Sequence, residues 1–461
     1  MASNSRLSRR DFLSLGIGSG AALLGTSVLA ACGQSPAPAG APTTAATAAP
    51  VKSASGGRLI VLAHPSFTPA GDQELADQGA AYGKSAGIEV AYQTDPNVPQ
   101  KLIAAIEAKN PPDVAMFGSG AEVFQYLDHL VDLSDIFNDV SKQAGGFIEP
   151  MMVPFKVNGK FWAVPFETSA FPMHSRLDLI EKATGKRVPP ATLDELEDVS
   201  KKILHEPDMY PIGFTLGLTS DAQQNLFMVI WADGGALIDK DGKPSINSPE
   251  TIFALKRIKR WWDEKLIPPD SPSWDDTGNN NAYQTKRVAF ALNPPSIYSW
   301  VQTNDKELTD NTALAPMPTG QSGKAYMPFD GWSWGIFKES KNIDAAKGLI
   351  RYWMQPDHLE SAYEKTAGRW YPINKDLQNN KFWTDQPGYK YYPQMVANER
   401  APYFPAEPSP PLLKSLGDQD GEFVIAAMAQ DVIVKNLSPE QAAANCQAKL
   451  VEIWKRNNAP V

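Results

Sequence analysis

Short apolar runs alternate with helix-like segments over residues 58–129, and this alternation constrains the fold more than any other feature of the sequence. Residues 58–63 (RLIVLA), 88–92 (IEVAY) and 113–117 (DVAMF) have the length and composition of strands. Residues 72–86, 98–110 and 121–129 have helical patterning. Because strands that alternate with helices build parallel βαβ units, the sequence predicts an α/β fold with doubly wound sheets flanked by helices.

The ends of the predicted strands are the first candidate binding positions. In doubly wound sheets, ligands bind beyond the carboxyl ends of the strands, where the strand order switches. This rule points to His64-Pro65-Ser66-Phe67 after the first strand, and to Gly118-Ser119-Gly120 after the third strand.

Local signals predict further turns and helix starts along the chain of 461 residues. Asn158-Gly159 predicts a hairpin turn, and Thr192 with Glu195 predicts a capping box. Ser248 and Ser438 are predicted to begin two other helices. A chain of this length exceeds one hydrophobic core, so we expect two lobes.

The N-terminus resembles an export signal of a bacterial lipoprotein. The twin arginine Arg9-Arg10 is similar to a Tat signal, and a weakly apolar run over 12–31 ends in Leu29-Ala30-Ala31 directly before Cys32. We therefore expect a Tat-type lipoprotein signal peptide over 1–31, a lipidated Cys32, and a disordered linker over 32–57, which holds almost no large apolar side chains. The alternative is an ordinary export signal followed by an incidental cysteine.

Charge and cysteine content narrow the partners. The formal net charge is −9, which argues against nucleic-acid binding and against electrostatic docking on anionic lipid. A neutral or weakly charged ligand fits better. The only cysteines are Cys32 and Cys446, so acylation of Cys32 would leave no intrachain disulfide, and we expect Cys446 to be a buried, inert thiol.

Sequence signatures of enzymes are scarce. The mature part contains no P-loop, no H-E-x-x-H pattern and no G-x-S-x-G nucleophile elbow. The five histidines are scattered without metal-ligand spacing, and Asp239-Lys240-Asp241-Gly242 reads as a surface turn rather than a calcium loop. We expect no metal and no cofactor.

Aromatic residues in Gly-, Pro- and Asn-rich settings are the strongest functional signal. Flat rings cover the apolar faces of a pyranose, while Asp, Glu, Asn and Arg side chains bond its hydroxyl rim. Both functions occur side by side at Trp274/Asp276, Asp330/Trp332 and Arg369/Trp370, and further tryptophans in this setting include Trp231 and Trp300. The alternative for each tryptophan is packing in the core or at a hinge.

Several stretches in order resemble family 1 extracellular solute-binding proteins, the maltose-binding-protein-like group that serves ABC sugar importers. The stretches are Pro111-Pro112-Asp113-Val114, residues 158–165 (NGKFWAVP), Lys286-Arg287-Val288-Ala289-Phe290 (with Lys-Arg where Gly-Lys is usual), Ala315-Pro316-Met317-Pro318, residues 330–336 (DGWSWGI) and residues 342–353. The resemblance covers the chain from about residue 57 onward.

This resemblance implies a type II-like periplasmic-binding-protein fold, with two α/β lobes joined by hinge crossings and the ligand in the cleft. Carried over, lobe 1 comprises 58–166 plus 327–367, and lobe 2 comprises 167–326 plus 368–461. The implied ligand contacts are His64, Phe67, Gly118, Ser119, Glu167, Trp231, Trp274, Asp276, Trp300, Asp330, Trp332, Arg369 and Trp370.

The function implied by the resemblance is that of an extracytoplasmic solute-binding subunit of an ABC importer, which captures a carbohydrate and delivers it to the transmembrane permease. We expect a monomer that is not an enzyme and meets the membrane only through its lipid anchor. Two alternatives stay open. The first is a surface glycoside-processing enzyme that uses Glu167 and Asp330 as its carboxylate pair. The second is the same fold with a non-sugar solute such as a peptide or a polyamine.

Overall fold

The computed structural model describes residues 57–118, 120–152, 155–205, 209–329 and 331–461. In its first part the elements are β1 (Arg58–Ala63), α1 (Pro69–Ala86), β2 (Glu89–Thr94), α2 (Val98–Glu107), β3 (Val114–Phe117), α3 (Ser134–Val140), β4 (Lys156–Val157), β5 (Lys160–Phe161), β6 (Val164–Pro165), β7 (Met173–Arg176), α4 (Leu177–Thr184), α5 (Leu193–Ile203), β8 (Tyr210–Gly213), α6 (Ser220–Asp233) and α7 (Pro249–Asp263). In its second part they are α8 (Gly278–Gln284), β9 (Val288–Leu292), α9 (Ser296–Asn304), α10 (Lys306–Asp310), β10 (Thr312–Ala315), β11 (Met327–Pro328), β12 (Ser333–Ile336), α11 (Ile343–Trp353), α12 (Pro356–Lys365), α13 (Lys381–Thr384), α14 (Tyr392–Ala397), β13 (Glu399–Arg400), α15 (Pro410–Gly421), α16 (Val424–Ile433) and α17 (Pro439–Arg456). Short 3₁₀ helices occupy Glu122–His129, Glu149–Met152, Ser271–Ser273, Leu377–Asn379 and Pro387–Tyr389.

The first sheet has the order β2-β1-β3-β12-β6. Its first three strands are parallel, as the alternation of strands and helices predicted, with Val61 opposite Tyr92 on one side and Val114 on the other. Strand β12 enters from far along the chain and runs antiparallel to β3 and β6. The ends of β1 and β3 therefore lie side by side at one edge, close to the start of β12.

The second sheet has the order β10-β7-β9-β8. Strands β8 and β9 are parallel, whereas β7 runs antiparallel to both β9 and β10. This sheet is accordingly mixed, unlike the βαβ start of the first sheet. Among the described residues, no helix is both long and apolar enough to cross a membrane.

The local sequence signals are confirmed. Thr192 and Glu195 form the predicted capping box at the start of α5, and the side chains of Ser248 and Ser438 accept backbone N–H bonds at the starts of α7 and α17. Asn158-Gly159 joins β4 to β5 with both residues at positive φ, 52° and 78°, which a two-residue hairpin turn of type I′ requires.

The segment after β3 is a 3₁₀ helix rather than an α-helix, and its first turn closes through the Phe124 N–H and the Ala121 carbonyl, three residues apart. Cys446 is buried, as predicted, and burial raises the pKa of its thiol far above the ordinary range.

The stretch after α12 contacts segments that lie far apart in the sequence. The Ile148 N–H donates to the Ile373 carbonyl at 2.8 Å, Tyr371 and Thr168 exchange backbone hydrogen bonds, and β13 pairs in parallel with β11. Residues 371–400 are thus hydrogen-bonded through their backbone to the segment 143–148, to the segment after β6 and to strand β11.

Candidate functional site

His64 and Glu122 join the ends of β1 and β3. His64 follows β1, and its Nε2 lies 3.1 Å from Glu122 Oε2. The Gly118 N–H, directly after β3, donates to the same oxygen at 2.7 Å. A Cβ at position 118 would lie 3.0 Å from the His64 ring, so glycine permits this close approach. Glu122 is 4% exposed and therefore fixes the imidazole from below the surface.

Glu167 connects the segment after β6 to the start of β12. It is fully buried; Oε1 accepts the Trp332 N–H at 2.7 Å, and Oε2 accepts the Ser169 hydroxyl at 2.7 Å. Arg369 in turn donates to the Ser169 hydroxyl oxygen. A carboxylate, a hydroxyl and a guanidinium are thereby held in one chain of hydrogen bonds.

The indole of Trp332 is the centre of this region. Its ring centroid lies 5.8 Å from that of His64 and 5.8 Å from that of Trp370. The Arg369 guanidinium carbon lies 5.1 Å from the Trp332 centroid, within the range of a cation–π contact. We call His64, Glu122, Glu167, Ser169, Trp332 and Arg369 the central cluster.

Asp276 interacts electrostatically with His64 of this cluster. Its Oδ1 accepts the Asp221 N–H at 3.0 Å at the start of α6. Burial raises the pKa of Asp276, and the hydrogen bonds from Asp221 and Thr219, together with the charge of His64, oppose that rise. His64 therefore contacts Glu122 directly and interacts with Asp276 electrostatically, without a hydrogen bond between them.

The other predicted contacts have other neighbours. Trp231 stacks on Phe227 with centroids 5.7 Å apart. The Trp274 indole N–H donates to Asp270 at 3.1 Å. Trp300 is 38% exposed on α9, and Phe67 is 44% exposed, on a groove that it shares with Asp72 and Tyr92. Ser119, Asp330 and Cys32 lie outside the described residues.

Several residues of the region were not predicted from the sequence. Besides Glu122 and Ser169, the Tyr392 hydroxyl donates to the Ser169 carbonyl, and Glu399 accepts the Thr168 hydroxyl at 2.7 Å. Glu122 carried one usable signal, since a carboxylate four residues after a strand-end glycine can reach back to that glycine's N–H. Tyr392 and Glu399 carried none, because their contacts depend on the long-range course of 371–400.

The chemistry of the central cluster is that of non-covalent recognition. Buried carboxylates accept hydrogen bonds, Arg369 donates them, and the Trp332 indole, 4% exposed, lies against the Arg369 guanidinium and the fully buried Trp370 ring. Across the described ranges, no group of three His, Cys, Asp or Glu side chains has the arrangement to hold a metal ion.

The chain is similar to known binding proteins over most of its length. The family described as bacterial extracellular solute-binding protein matches residues 77–391. A binding protein of Brucella abortus (strain 2308) is 26% identical over 349 residues, which cover 73% of this chain and 83% of the relative. The maltodextrin-binding protein of Bacillus subtilis (strain 168) is 24% identical over 278 residues, covering 56% of this chain and 60% of the relative.

The fold has a close counterpart among solved structures. The maltose-bound MalE3 protein of T. maritima matches with a TM-score of 0.76 at 21% identity, covering 86% of this chain and 99% of that chain. The predicted periplasmic-binding-protein fold is therefore confirmed.

Proposed function

We propose that this chain, which belongs to the bacterial extracellular solute-binding protein family, captures a carbohydrate outside the cytoplasm and delivers it to the permease of an ABC importer. The main observation behind the proposal is the environment of Trp332. Its indole lies 5.1 Å from the Arg369 guanidinium, and its backbone N–H donates to the fully buried carboxylate of Glu167. Such a set matches both the faces and the rim of a pyranose.

The central cluster and its neighbours Trp370 and Asp276 have distinct roles in this proposal. Trp332 packs against the C–H face of a sugar ring, and the fully buried Trp370 supports the Trp332 indole from the protein side. Arg369 and His64 donate to the sugar oxygens, Asp276 accepts from its hydroxyls, and Glu167 positions Trp332 and Ser169 through its two carboxylate oxygens. The maltodextrin of the B. subtilis relative and the maltose of the T. maritima protein are both glucose oligosaccharides, which favours this ligand class.

Binding operates by lobe closure in this proposal. We retain lobe 1 as 58–166 plus 327–367 and lobe 2 as 167–326 plus 368–461, with Ser119, Asp330 and the remaining predicted residues as further contacts. The ligand touches both lobes and so favours the closed state by its differential affinity. The chain acts as a monomer without covalent chemistry, and the closed form docks on the permease.

The N-terminal part of the proposal concerns location. Residues 1–31 act as a Tat-type export signal, and the lipidated Cys32 with the linker 32–57 anchors the protein at the outer face of the membrane. Expression of the Cys32→Ser variant tests this part: it should be exported but released from the membrane fraction. Retention of the variant in that fraction would contradict the anchor.

Calorimetry tests the ligand class. Titration with glucose, maltose, maltotriose, laminaribiose and arabinose should give binding heat for at least one sugar, and Trp332→Ala should remove it. Trp162→Ala is the matched control. Trp162 follows β5 and packs beside Lys338, so this variant should leave sugar affinity unchanged. No heat with any sugar contradicts the carbohydrate proposal, and turnover of a bound glycoside contradicts the absence of catalysis.

A further inference from the structure

A second cavity lies beside the central cluster, and none of its lining residues was predicted to contact ligand. It has a volume of about 550 Å³, within the range of small-molecule sites. We call it the aromatic chamber; its main lining residues are Phe329, Glu399, Arg400, Ala401, Tyr403 and Phe404.

The aromatic chamber shares a wall with the central cluster. The Phe329 ring lies very close to Gly120 and Gly331. A Cβ would come within 2.5 Å of this ring at position 120 and within 2.1 Å of it at position 331. Gly331 directly precedes Trp332. Glu399 accepts the Thr168 hydroxyl at 2.7 Å, and Thr168 lies between Glu167 and Ser169. Phe329 and the contact between Glu399 and Thr168 therefore form the wall between the two places.

The Tyr403 hydroxyl marks the chamber as a binding site. Tyr403 is only 7% exposed, and its hydroxyl has no hydrogen-bond partner among the described residues. Burial raises the pKa of Tyr403 to about 12, so the hydroxyl keeps its proton at neutral pH. Buried hydroxyls normally have a partner, and a bound ligand would supply one.

The other walls are rigid and mostly apolar. Arg400 lies over the Tyr326 ring at 4.4 Å and donates to the Glu399 carbonyl at 2.7 Å, which fixes its side chain. Phe404 packs against the same Tyr326 ring at 5.5 Å. A pyranose carries hydroxyls around its whole rim, whereas these walls are mainly aromatic, proline and alanine surfaces, with charged groups only from Glu149, Glu399 and Arg400. A planar apolar ring with one polar substituent fits better.

We propose that the aromatic chamber binds the aromatic ring of a glycoside, with a polar substituent hydrogen-bonded to Tyr403 and the sugar held by the central cluster. This inference rests on the proposed carbohydrate function and narrows it to aryl glycosides. The aromatic ring lies between Phe329 and Phe404, and Ala401 leaves the space that it occupies.

Paired glycosides test the chamber in the full chain. Calorimetry compares the methyl and para-nitrophenyl glycosides of glucose and maltose, and para-nitrophenol alone serves as a probe of the chamber. The para-nitrophenyl glycoside should bind about tenfold more tightly than its methyl counterpart. Ala401→Trp, which fills the chamber, should abolish this advantage and leave the methyl glycoside unaffected.

Tyr403→Phe is the second variant. It removes the hydroxyl but keeps the aromatic side chain, so it should reduce the tighter binding of the para-nitrophenyl glycoside relative to the methyl glycoside. Its matched control is Tyr391→Phe, because Tyr391 is 42% exposed. Equal affinity for methyl and para-nitrophenyl glycosides overturns the inference, as does an advantage that survives in Ala401→Trp. A third outcome separates the two proposals: para-nitrophenol binds to the parent protein but not to Ala401→Trp, and no methyl glycoside binds. This outcome would support the aromatic chamber as a binding site and contradict the carbohydrate function.

Discussion

The backbone N–H of Trp332 donates a 2.7 Å hydrogen bond to Glu167 Oε1. Glu167 is fully buried and follows β6, whereas Trp332 precedes β12, and these two strands are neighbours in the first sheet. The bond therefore orients the indole and the carboxylate together. Both belong to segments where the sequence resemblance implies crossings between lobes. In the proposed division, lobe closure would therefore change the contacts of the central cluster.

Glu167→Gln should weaken both ligand binding and the fold. A glutamine oxygen still accepts the Trp332 N–H, and its NH₂ group can donate to the Ser169 hydroxyl, so we expect a loss of about 1–2 kcal/mol in unfolding free energy. The charged acceptor is lost, and sugar affinity should fall at least about tenfold. Calorimetry and urea unfolding measure the two effects. An unchanged affinity would remove Glu167 from the site; Glu181→Gln, at an exposed ion pair, is the control.

Arg369→Lys should lower sugar affinity although the positive charge remains. The guanidinium plane lies over Trp332 at 5.1 Å and reaches the Ser169 hydroxyl, and an ammonium group reproduces neither the plane nor the fork of donors. We expect a loss of about tenfold in affinity, measured by calorimetry, with Arg187→Lys at the surface as the neutral comparison. Equal affinities for Arg369→Lys and the parent protein would contradict the role of the guanidinium.

Asp276 should make sugar binding sensitive to acid. Burial raises its pKa above the ordinary value of 3.8, despite the opposing hydrogen bonds and the field of His64. As pH falls through this raised pKa, the carboxylate gains a proton and stops accepting from sugar hydroxyls, so affinity falls while ordinary aspartates are still charged. The side chains of Asp275 and His64 interact electrostatically with Asp276.

Asp276→Asn isolates this effect. The variant should bind more weakly and with a flatter pH profile, and Asp263→Asn, at an exposed ion pair with Lys259, should keep the profile of the parent protein. Because the native state holds the Asp276 proton more tightly than the unfolded state, ionisation of Asp276 reduces stability as pH rises from 3.8 through the raised pKa. Asp276→Asn should therefore unfold no more easily than the parent at neutral pH. An unaltered pH profile would contradict the prediction.

The fold could be predicted where its signals are local. The strand β1 was placed at its observed ends, 58–63, because a short apolar run between polar residues defines a buried strand. Helix starts at Thr192, Ser248 and Ser438 followed from capping chemistry. Strands β6, β11 and β13 have two residues each, which is too short for any alternation to show. The antiparallel insertion of β12 between β3 and β6 depends on pairing over more than 150 residues and has no local signal.

Residues of the candidate site could be proposed from the sequence where they follow strand ends or carry aromatic rings. His64, Glu167, Trp332, Arg369 and Trp370 come from distant parts of the sequence, and the structure brings them into one connected region. Tyr403 and Phe329 were missed because a tyrosine or phenylalanine in a loop looks the same in sequence whether it fills a core or lines a cavity. Only the missing partner of the Tyr403 hydroxyl distinguishes the two.

Glu197 should contribute pH-dependent stability. Burial alone would raise its pKa, but hydrogen bonds from Arg260 and Lys201 outweigh that effect and hold the pKa at about 2. The Trp261 indole N–H adds a bond of 3.2 Å, so Glu197 ties α5 to α7. The stabilisation is complete above the unfolded pKa near 4.5 and is lost as pH falls toward 2.

Glu197→Gln should cost about 1–2 kcal/mol at neutral pH, less than the full shift implies because Arg260 is partly solvated. Urea unfolding at pH 7, 4 and 3 measures the difference, which should shrink with acidity. Asp263→Asn, at an exposed ion pair with Lys259, should cost at most about 0.5 kcal/mol. A difference that is constant with pH would contradict the assigned role.

Gly417 should control closure around the ligand. It lies in α15, in proposed lobe 2, and a Cβ there would come 3.0 Å from the backbone nitrogen of Gln125 and 2.9 Å from its Cγ. Gln125 belongs to the same 3₁₀ helix as Glu122, in proposed lobe 1. The close approach that a glycine permits therefore joins the two proposed lobes beside the residue that holds His64.

Gly417→Leu should keep α15 away from that 3₁₀ helix and favour the open state. Leucine is a better helix former than glycine by about 0.8 kcal/mol, so a loss of affinity would not come from a weaker α15. We expect sugar affinity to fall about tenfold and the radius of gyration in the presence of sugar to increase, measured by calorimetry and small-angle X-ray scattering. Lys414→Leu, on the exposed face of the same helix, should change neither. If Gly417→Leu binds sugar as the parent does and contracts to the same radius, α15 and the 3₁₀ helix are not part of the closing contact.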